Sequence, residues 1–168
     1  MGDIKNLVSA EAVAKIKELA LGADIALFST NLLTLPLTTR PMSTQGVDEE
    51  GNLWFLSKKN SNKNQDIAKD SRVQLFYSNK GSSEYLSVFG HAEIIFDKEK
   101  IDQYWTPIAK AWFTEGKDDA SISVIKVVPA DVYYWDTKEG KILSLIKIAY
   151  GAITGSKIDG GVEGKIKI

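Results

Sequence analysis

Ser57, Lys58, Ser61, Asn62 and Lys63 lie in the stretch "NLWFLSKKNSNKN", residues 52–64, where an apolar run passes abruptly into hydroxyls, amides and ammonium groups. A strand that delivers these groups into a loop before a helix start offers charge-assisted donors and free backbone N–H groups together, which suits an anionic phosphate. Trp54 and Phe55 could sit beside a flat ring whose tail the polar half holds. The same residues also fit a solvated strand-to-helix loop, because lysine-rich stretches are mostly surface. Deciding between the two requires the elements around them.

The chain has 168 residues, 43% hydrophobic and 26% charged, enough for one sizeable core. A single domain over 1–155, ending in a mobile tail at 156–168, is expected. With 21 basic against 22 acidic side chains, it lacks the electrostatic footprint of a nucleic-acid partner. Cysteine is absent and there is one histidine, His91, so thiolate chemistry is excluded and no metal site is expected. Charges interrupt the first apolar residues, and no apolar run approaches the ~20 residues of a membrane span. A cytoplasmic protein with no membrane association is expected.

Along the chain, Val13, Ile16, Leu19 and Ala20 share one helical face, with Ser9 placed to cap the start and Gly22 to stop it. Two strands joined near Asn31 follow, around a Pro36 that forbids a helix interior. Glu50-Gly51-Asn52 reads as a hairpin turn into a strand ending at Ser57. "NKNQDIAKDS" suits a short helix with Ile67 and Ala68 turned inward. "RVQLFYSN" and "YLSVFGHAEIIF" alternate as a hairpin around Lys80-Gly81, and Asp97 can cap a helix over "DKEKIDQYW". "ISVIKVVPADVYYWD" reads as two strand runs broken by Pro129. Leu143, Ile146, Tyr150 and Ile153 recur at helical spacing before the glycine-rich end. About six strands in meander order with short helices point to a mainly β fold, a closed or nearly closed antiparallel barrel with flanking helices.

The order of motifs resembles the flavin-binding split-barrel proteins related to pyridoxamine 5′-phosphate oxidase, and most closely their general stress protein 26-like branch, over about residues 10–155. The residues that carry it are Thr39–Met42 ("TRPM"), Leu53–Ser57 ("LWFLS"), Ser61 with Lys63, Gly90, Lys110–Phe113 ("KAWF") and Tyr134–Asp136 ("YWD"). The resemblance implies a six-stranded, Greek-key-like split barrel that binds flavin mononucleotide (FMN). It implies Arg40, Pro41 and Met42 beside the ring, Leu56 and Ser57 at the ring edge and ribityl chain next to Phe55, and Ser61, Asn62 and Lys63 at the phosphate. Asn62 replaces an arginine of the family's phosphate clamp, and Lys58 is placed to compensate. Tyr85 stands where the family has a glutamine, and Trp135 matches its terminal tryptophan. A homodimer with the flavin at the subunit interface is also implied, with Trp105, Trp112 and Phe113 as aromatic candidates for ring contact or simple packing.

The oxidases follow their last tryptophan strand with arginines that grip the substrate phosphate. Here the only arginines are Arg40 and Arg72. Oxidation of pyridoxamine 5′-phosphate is therefore not expected, and an FMN-dependent oxidoreductase with another small-molecule redox partner is. A non-catalytic flavin carrier or sensor, and a split barrel holding haem or a deazaflavin, stay open; haem would need His91 as its axial ligand. His91 otherwise reads as a structural or surface histidine, and Asp118 and Asp119 as turn and capping residues.

Overall fold

Alternating apolar runs become strands and the 3.6-residue patterns become helices in the computed structural model, which describes residues 3–137 and 161–168. In chain order the described elements are β1 (Asp3–Ile4), β2 (Leu7–Val8), α1 (Ser9–Ala23), β3 (Ile25–Thr30), β4 (Thr38–Ser43), β5 (Gly46–Val47), β6 (Leu53–Lys58), α2 (Asn62–Lys69), β7 (Arg72–Asn79), β8 (Glu84–Ile95), α3 (Lys98–Tyr104), β9 (Ile122–Thr137) and β10 (Gly161–Lys167). Short 3-10 turns, Pro107–Ala111 and Gly116–Asp118, link α3 to β9. The expected helix over 141–153 lies outside the described residues.

Six longer strands make the antiparallel barrel in the order β4-β3-β7-β8-β9-β6. The order is a meander only from β7 to β9. β6 follows β4 and β5 in the chain yet pairs with the distant β9, which makes the path Greek-key-like. β4 comes close to β6, but no hydrogen-bonded ladder joins them among the described residues. β9 pairs with β8 along one edge, while its other edge serves β6 over Ile122–Val127 and β10 over Val132–Thr137.

Inward-facing Phe28, Phe55, Leu75 and Val88 fill the barrel, and α1 adds Ala12, Ile16, Leu19 and Ala20 to the same core. Burying each large aliphatic or aromatic side chain stabilises the fold by roughly 1.5–3 kcal/mol. A second cluster lies on the other face of β6 and β9, where Trp54, Ile101, Tyr104, Phe113, Ile122 and Val124 pack beneath α3 and the 3-10 turns.

Several local expectations change. Ser9 is the first residue of α1 rather than its cap: Val8 takes the cap position, and no side chain accepts from the helix start. The helix runs past Gly22 and ends at Asp24, whose φ of 62° turns its N–H back to the Ala20 carbonyl. Ile67 is buried, but Ala68 faces solvent. Pro129 does not divide its segment. β9 continues through it because the register slips between Phe89↔Asp131 and Gly90↔Pro129, leaving Ala130 as a bulge residue where a missing N–H is tolerated. A Cβ on Gly90 would lie 2.4 Å from the Val128 carbonyl oxygen, so only glycine lets the two strands meet there.

Residues 161–167, expected as a mobile tail, form β10 against β9, with β1 and β2 parallel on its other edge. Its partners come from the far end of the chain, and Gly164 admits the Lys5 carbonyl, 2.1 Å from where a Cβ would stand. Ile166 is buried in the core.

Candidate functional site

Arg40 sits opposite Phe28 in the β3–β4 hairpin, with its side chain on the inner face and 19% exposed. Its Nη1 donates to Thr30 Oγ1 at 2.7 Å and to the Phe28 carbonyl at 3.5 Å. Thr30 Oγ1 donates in turn to Asp66 Oδ2 at 2.6 Å, and the same carboxylate oxygen is 3.6 Å from Arg40 Nη2. A strand hairpin is thereby tied to α2 through a closed ring of arginine, threonine and aspartate. Burial pushes the Arg40 guanidinium below its ordinary value, and Asp66 offsets part of that.

One turn earlier on α2, half-buried Lys63 has no hydrogen-bond or ion-pair partner among the described residues. Burial first, and the neighbouring Arg40 charge second, push its ammonium below the usual lysine value. A desolvated cation beside a second cation is costly unless an anion joins them. The helix start adds to the same field. Ser61 caps α2, its Oγ accepting from the Asn64 N–H at 3.4 Å, while the N–H groups of Asn62 and Lys63 precede any intrahelical acceptor.

Beneath this rim Ser57 is buried. Ser57 Oγ donates to Asn64 Oδ1 at 2.8 Å and lies 3.1 Å from Ser61 Oγ, and Asn64 Nδ2 donates to Ser123 Oγ at 2.9 Å. Ser123 closes the knot by donating to the Ser57 carbonyl at 3.1 Å. The structure thus brings Arg40, Ser57, Ser61, Asn62 and Lys63 to one end of the barrel. Lys58 and Asn62 are exposed at its edge.

The aromatic half of the motif does something else. Phe55 is fully buried, edge-on to Phe28 at 5.3 Å between ring centroids, so its ring cannot touch a ligand. Trp54 points to the opposite face, stacked on Tyr104 at 4.6 Å, with its Nε1 donating to Asp48. Leu56 packs with it in the second cluster. Strand alternation is the cause: Phe55 and Ser57 face inward, Trp54 and Leu56 outward.

Met42 faces the core beside Ala26, whereas Pro41 faces outward opposite Leu27. On that outer face a groove of about 650 Å³ is lined by Ile25, Leu27, Phe76, Tyr85 and Trp135. Tyr85 and Trp135 are register partners at 45% and 41% exposure, and Leu27 is 52% exposed. They lie on the other side of the sheet from Arg40. Trp112 is 60% exposed after the 3-10 turn, while Phe113 is buried and Trp105 packs against it.

Other candidates are accounted for. His91 is exposed on β8, with Nδ1 3.1 Å from Ser71 Oγ, and stands opposite Arg72 rather than in the groove. Arg72 forks onto Asp70 at 2.8 and 2.7 Å. Asp118 pairs with Lys98, and Asp119 accepts from Ser121. The carboxylates of Glu18, Glu84 and Asp136 converge, but the Lys15 ammonium bridges Glu18 and Asp136 at 2.7 and 2.9 Å. No helix among the described residues is long and apolar enough to cross a membrane.

Sequence reasoning missed Thr30, Asn64, Asp66 and Ser123. Asp66 falls three residues after Lys63 on one helix face, a spacing that suggests a pair between those two, whereas the structure joins Asp66 to Arg40 and Thr30. Thr30 reaches Asp66, and Ser123 reaches Asn64, only through tertiary pairing.

Residues 11–159 match the family described as pyridoxamine 5′-phosphate oxidase like. Protein bli-3 of Neurospora crassa is 26% identical over 128 residues, 71% of this chain, and the match spans 61% of that relative's length. Among solved structures, a Jannaschia sp. CCS1 protein assigned to general stress protein 26 superposes with a TM-score of 0.76 at 23% identity, covering 95% of this chain and 99% of its own. General stress protein 26 of Bacillus anthracis gives 0.63 at 23% identity, covering 74% and 92%. The general stress FMN/FAD binding protein of Xanthomonas citri gives 0.65 at 20%, covering 75% and 89%. These likenesses establish a shared split-barrel fold. With nearly its whole length matched, the chain belongs to the pyridoxamine 5′-phosphate oxidase like family.

Proposed function

We propose that this chain binds FMN, as a homodimer, and works as a flavin-dependent oxidoreductase on a small-molecule partner. The observation that carries the reading is Lys63: a half-buried cation without a counter-ion among the described residues, beside Arg40 and at the open start of α2. That arrangement fits the phosphate of a flavin nucleotide. The family and the flavin-binding relative from Xanthomonas citri support the choice of flavin over other phosphates.

Lys63 would donate to the phosphate together with the Asn62 and Lys63 N–H groups, with Lys58 reaching in from the edge. Arg40, fixed by Thr30 and Asp66, would hold its positive charge near the ribityl end. Met42 and the inner strand face would exclude water from the ring edge. When bound, the flavin supplies the capacity to accept and return a hydride, so the protein need only position it and set the charge around it. The outer face with Leu27, Phe76, Tyr85 and Trp135 would be covered by a second copy, whose exposed Trp112 would be an aromatic group able to reach across.

Pyridoxamine 5′-phosphate is not proposed as the substrate. Arg72 is committed to Asp70, Arg40 to Asp66, and the sequence has no further arginine. Haem is disfavoured because His91 lies away from the groove.

The test is an absorbance spectrum of the purified protein after loading with FMN and desalting, followed by anaerobic addition of a nicotinamide donor. Retained flavin absorbance that bleaches and returns over repeated cycles is expected. A protein emerging without flavin contradicts the binding assignment, and bound flavin that never cycles with any donor contradicts the enzymatic one in favour of a carrier.

A further inference from the structure

The inner charges of the cradle leave one net positive charge. Arg40 and Lys63 contribute two positive charges, and Asp66, engaged with Arg40 both directly and through Thr30, removes one. Ser57, Ser61, Asn62 and Asn64 are neutral. Lys63 is left as the uncompensated cation among the described inner residues, and its half-burial on α2 leaves the site partly dry.

An anion entering such a site loses hydration in proportion to the square of its charge, while its attraction to fixed charges grows only linearly. A second negative charge on the ligand would also face the Asp66 carboxylate. We infer that Asp66 sets the charge preference of the cradle, so that it takes a singly charged phosphate, the monoanion of a phosphomonoester or one phosphate of a diphosphate linkage, over the phosphomonoester dianion. The inference rests on the flavin reading above and names a specificity-determining residue for it. Asp66 acts on the ligand through Arg40 and through space, as a positioning and charge-setting residue.

Other charged groups border the cradle and belong in the balance. Lys58, the edge cation that ends β6, is exposed and offset by nearby Asp119 before β9, and Lys59 after it is exposed. On β8, which packs along α2, Glu93 is exposed and His91 stands by Asp70 at the far end of the helix. β3 offers only Thr30.

The experiment measures binding of FMN, FAD and riboflavin to the full chain from pH 5.5 to 7.5. A phosphomonoester loses its second proton near about pH 6, whereas the diphosphate of FAD does not ionise in this window. FAD therefore cancels any contribution from the protein's own groups. For the native chain the FMN dissociation constant is expected to rise about tenfold across this range relative to that of FAD. In Asp66→Asn the slope should vanish or reverse, with FMN bound about tenfold more tightly at pH 7.5. Asp66→Glu should restore the native slope, and Thr30→Val, which keeps both charges, should shift the melting temperature but not the slope. FMN affinity that is flat or strengthens with pH in the native chain overturns the inference while leaving flavin binding intact. Failure to bind either nucleotide more tightly than riboflavin overturns the flavin reading along with it. The native slope tests the charge preference without substitution, and an Asp66→Asn protein, or Asp66→Ser should the first not fold, that keeps the native slope overturns its assignment to Asp66.

Discussion

Lys63 and Ser57 lie six positions apart and play opposite parts. Lys63 is bonded to nothing among the described residues, so removing it should cost the fold little and the ligand much. Lys63→Ala is expected to weaken FMN binding by roughly 1–3 kcal/mol, the value of a charge-assisted contact, with an unchanged or slightly higher melting temperature. Isothermal titration and a thermal melt check the pair of outcomes. Ser57 is buried at the base of the Asn64–Ser123 knot. Ser57→Ala should instead destabilise the protein by roughly 1–3 kcal/mol in urea unfolding, by leaving buried polar partners unsatisfied. At this scale the sequence was readable where chemistry is local. Hydroxyls and ammonium groups within 57–63 do reach one end of the barrel, because a strand end and a helix start are adjacent in the chain. Trp54 and Phe55 were misread for the complementary reason: alternation along β6 sends them to two different cores, and which face is buried depends on β9 and α3. The Thr30–Asp66 contact spans 36 positions and had no local trace.

At the scale of elements, the joint between β8 and β9 is set by glycine. Gly90→Ala would push a methyl onto the Val128 carbonyl, and a loss of roughly 1–3 kcal/mol in urea unfolding is expected, as for other overpacked sites. The joint between α2 and β7 is electrostatic. Hydrogen bonds from the Arg72 side chain and backbone hold the Asp70 carboxyl down at about 2. Since the folded value lies below the unfolded one of about 3.9, this contribution is present above pH 4 and is lost as pH falls through about 2. Asp70→Asn should flatten the fall in melting temperature between pH 4 and pH 2, and an equal fall in both proteins would contradict the pairing. The elements themselves were largely legible, since the β3–β4, β5–β6 and β7–β8 turns each carry their own residues: Asn31, Gly51 and Lys80-Gly81. Pro129 and the C-terminal strand were not. A bulge absorbs the proline only because Gly90 faces it, and β10 exists only because β9, β1 and β2 offer it edges.

At the scale of the whole molecule, the proposed function calls on two surfaces: a polar cradle at one end of the barrel and an apolar outer face across β3, β7, β8 and β9. A single copy leaves Leu27, Phe76, Tyr85 and Trp135 in water, a contiguous patch of the kind that marks an interface. Leu27→Glu, which touches no part of the cradle, is expected to convert a dimer to a monomer in analytical ultracentrifugation, since a buried unpaired charge at an interface is not tolerated. A native protein that sediments as a monomer at every concentration would contradict the arrangement. The Greek-key-like order, which rested on resemblance, is explained by the β6–β9 ladder closing one side of the barrel. The measurement that bears most directly on the whole account is equilibrium dialysis of the native chain against FMN and against riboflavin, which differ only in the phosphate. The account predicts one FMN per chain and riboflavin held at least about a hundredfold more weakly, since two charge-assisted contacts are worth roughly 3 kcal/mol together. Equal binding of the two flavins, or binding of neither, would contradict a cradle built around Lys63 and the start of α2.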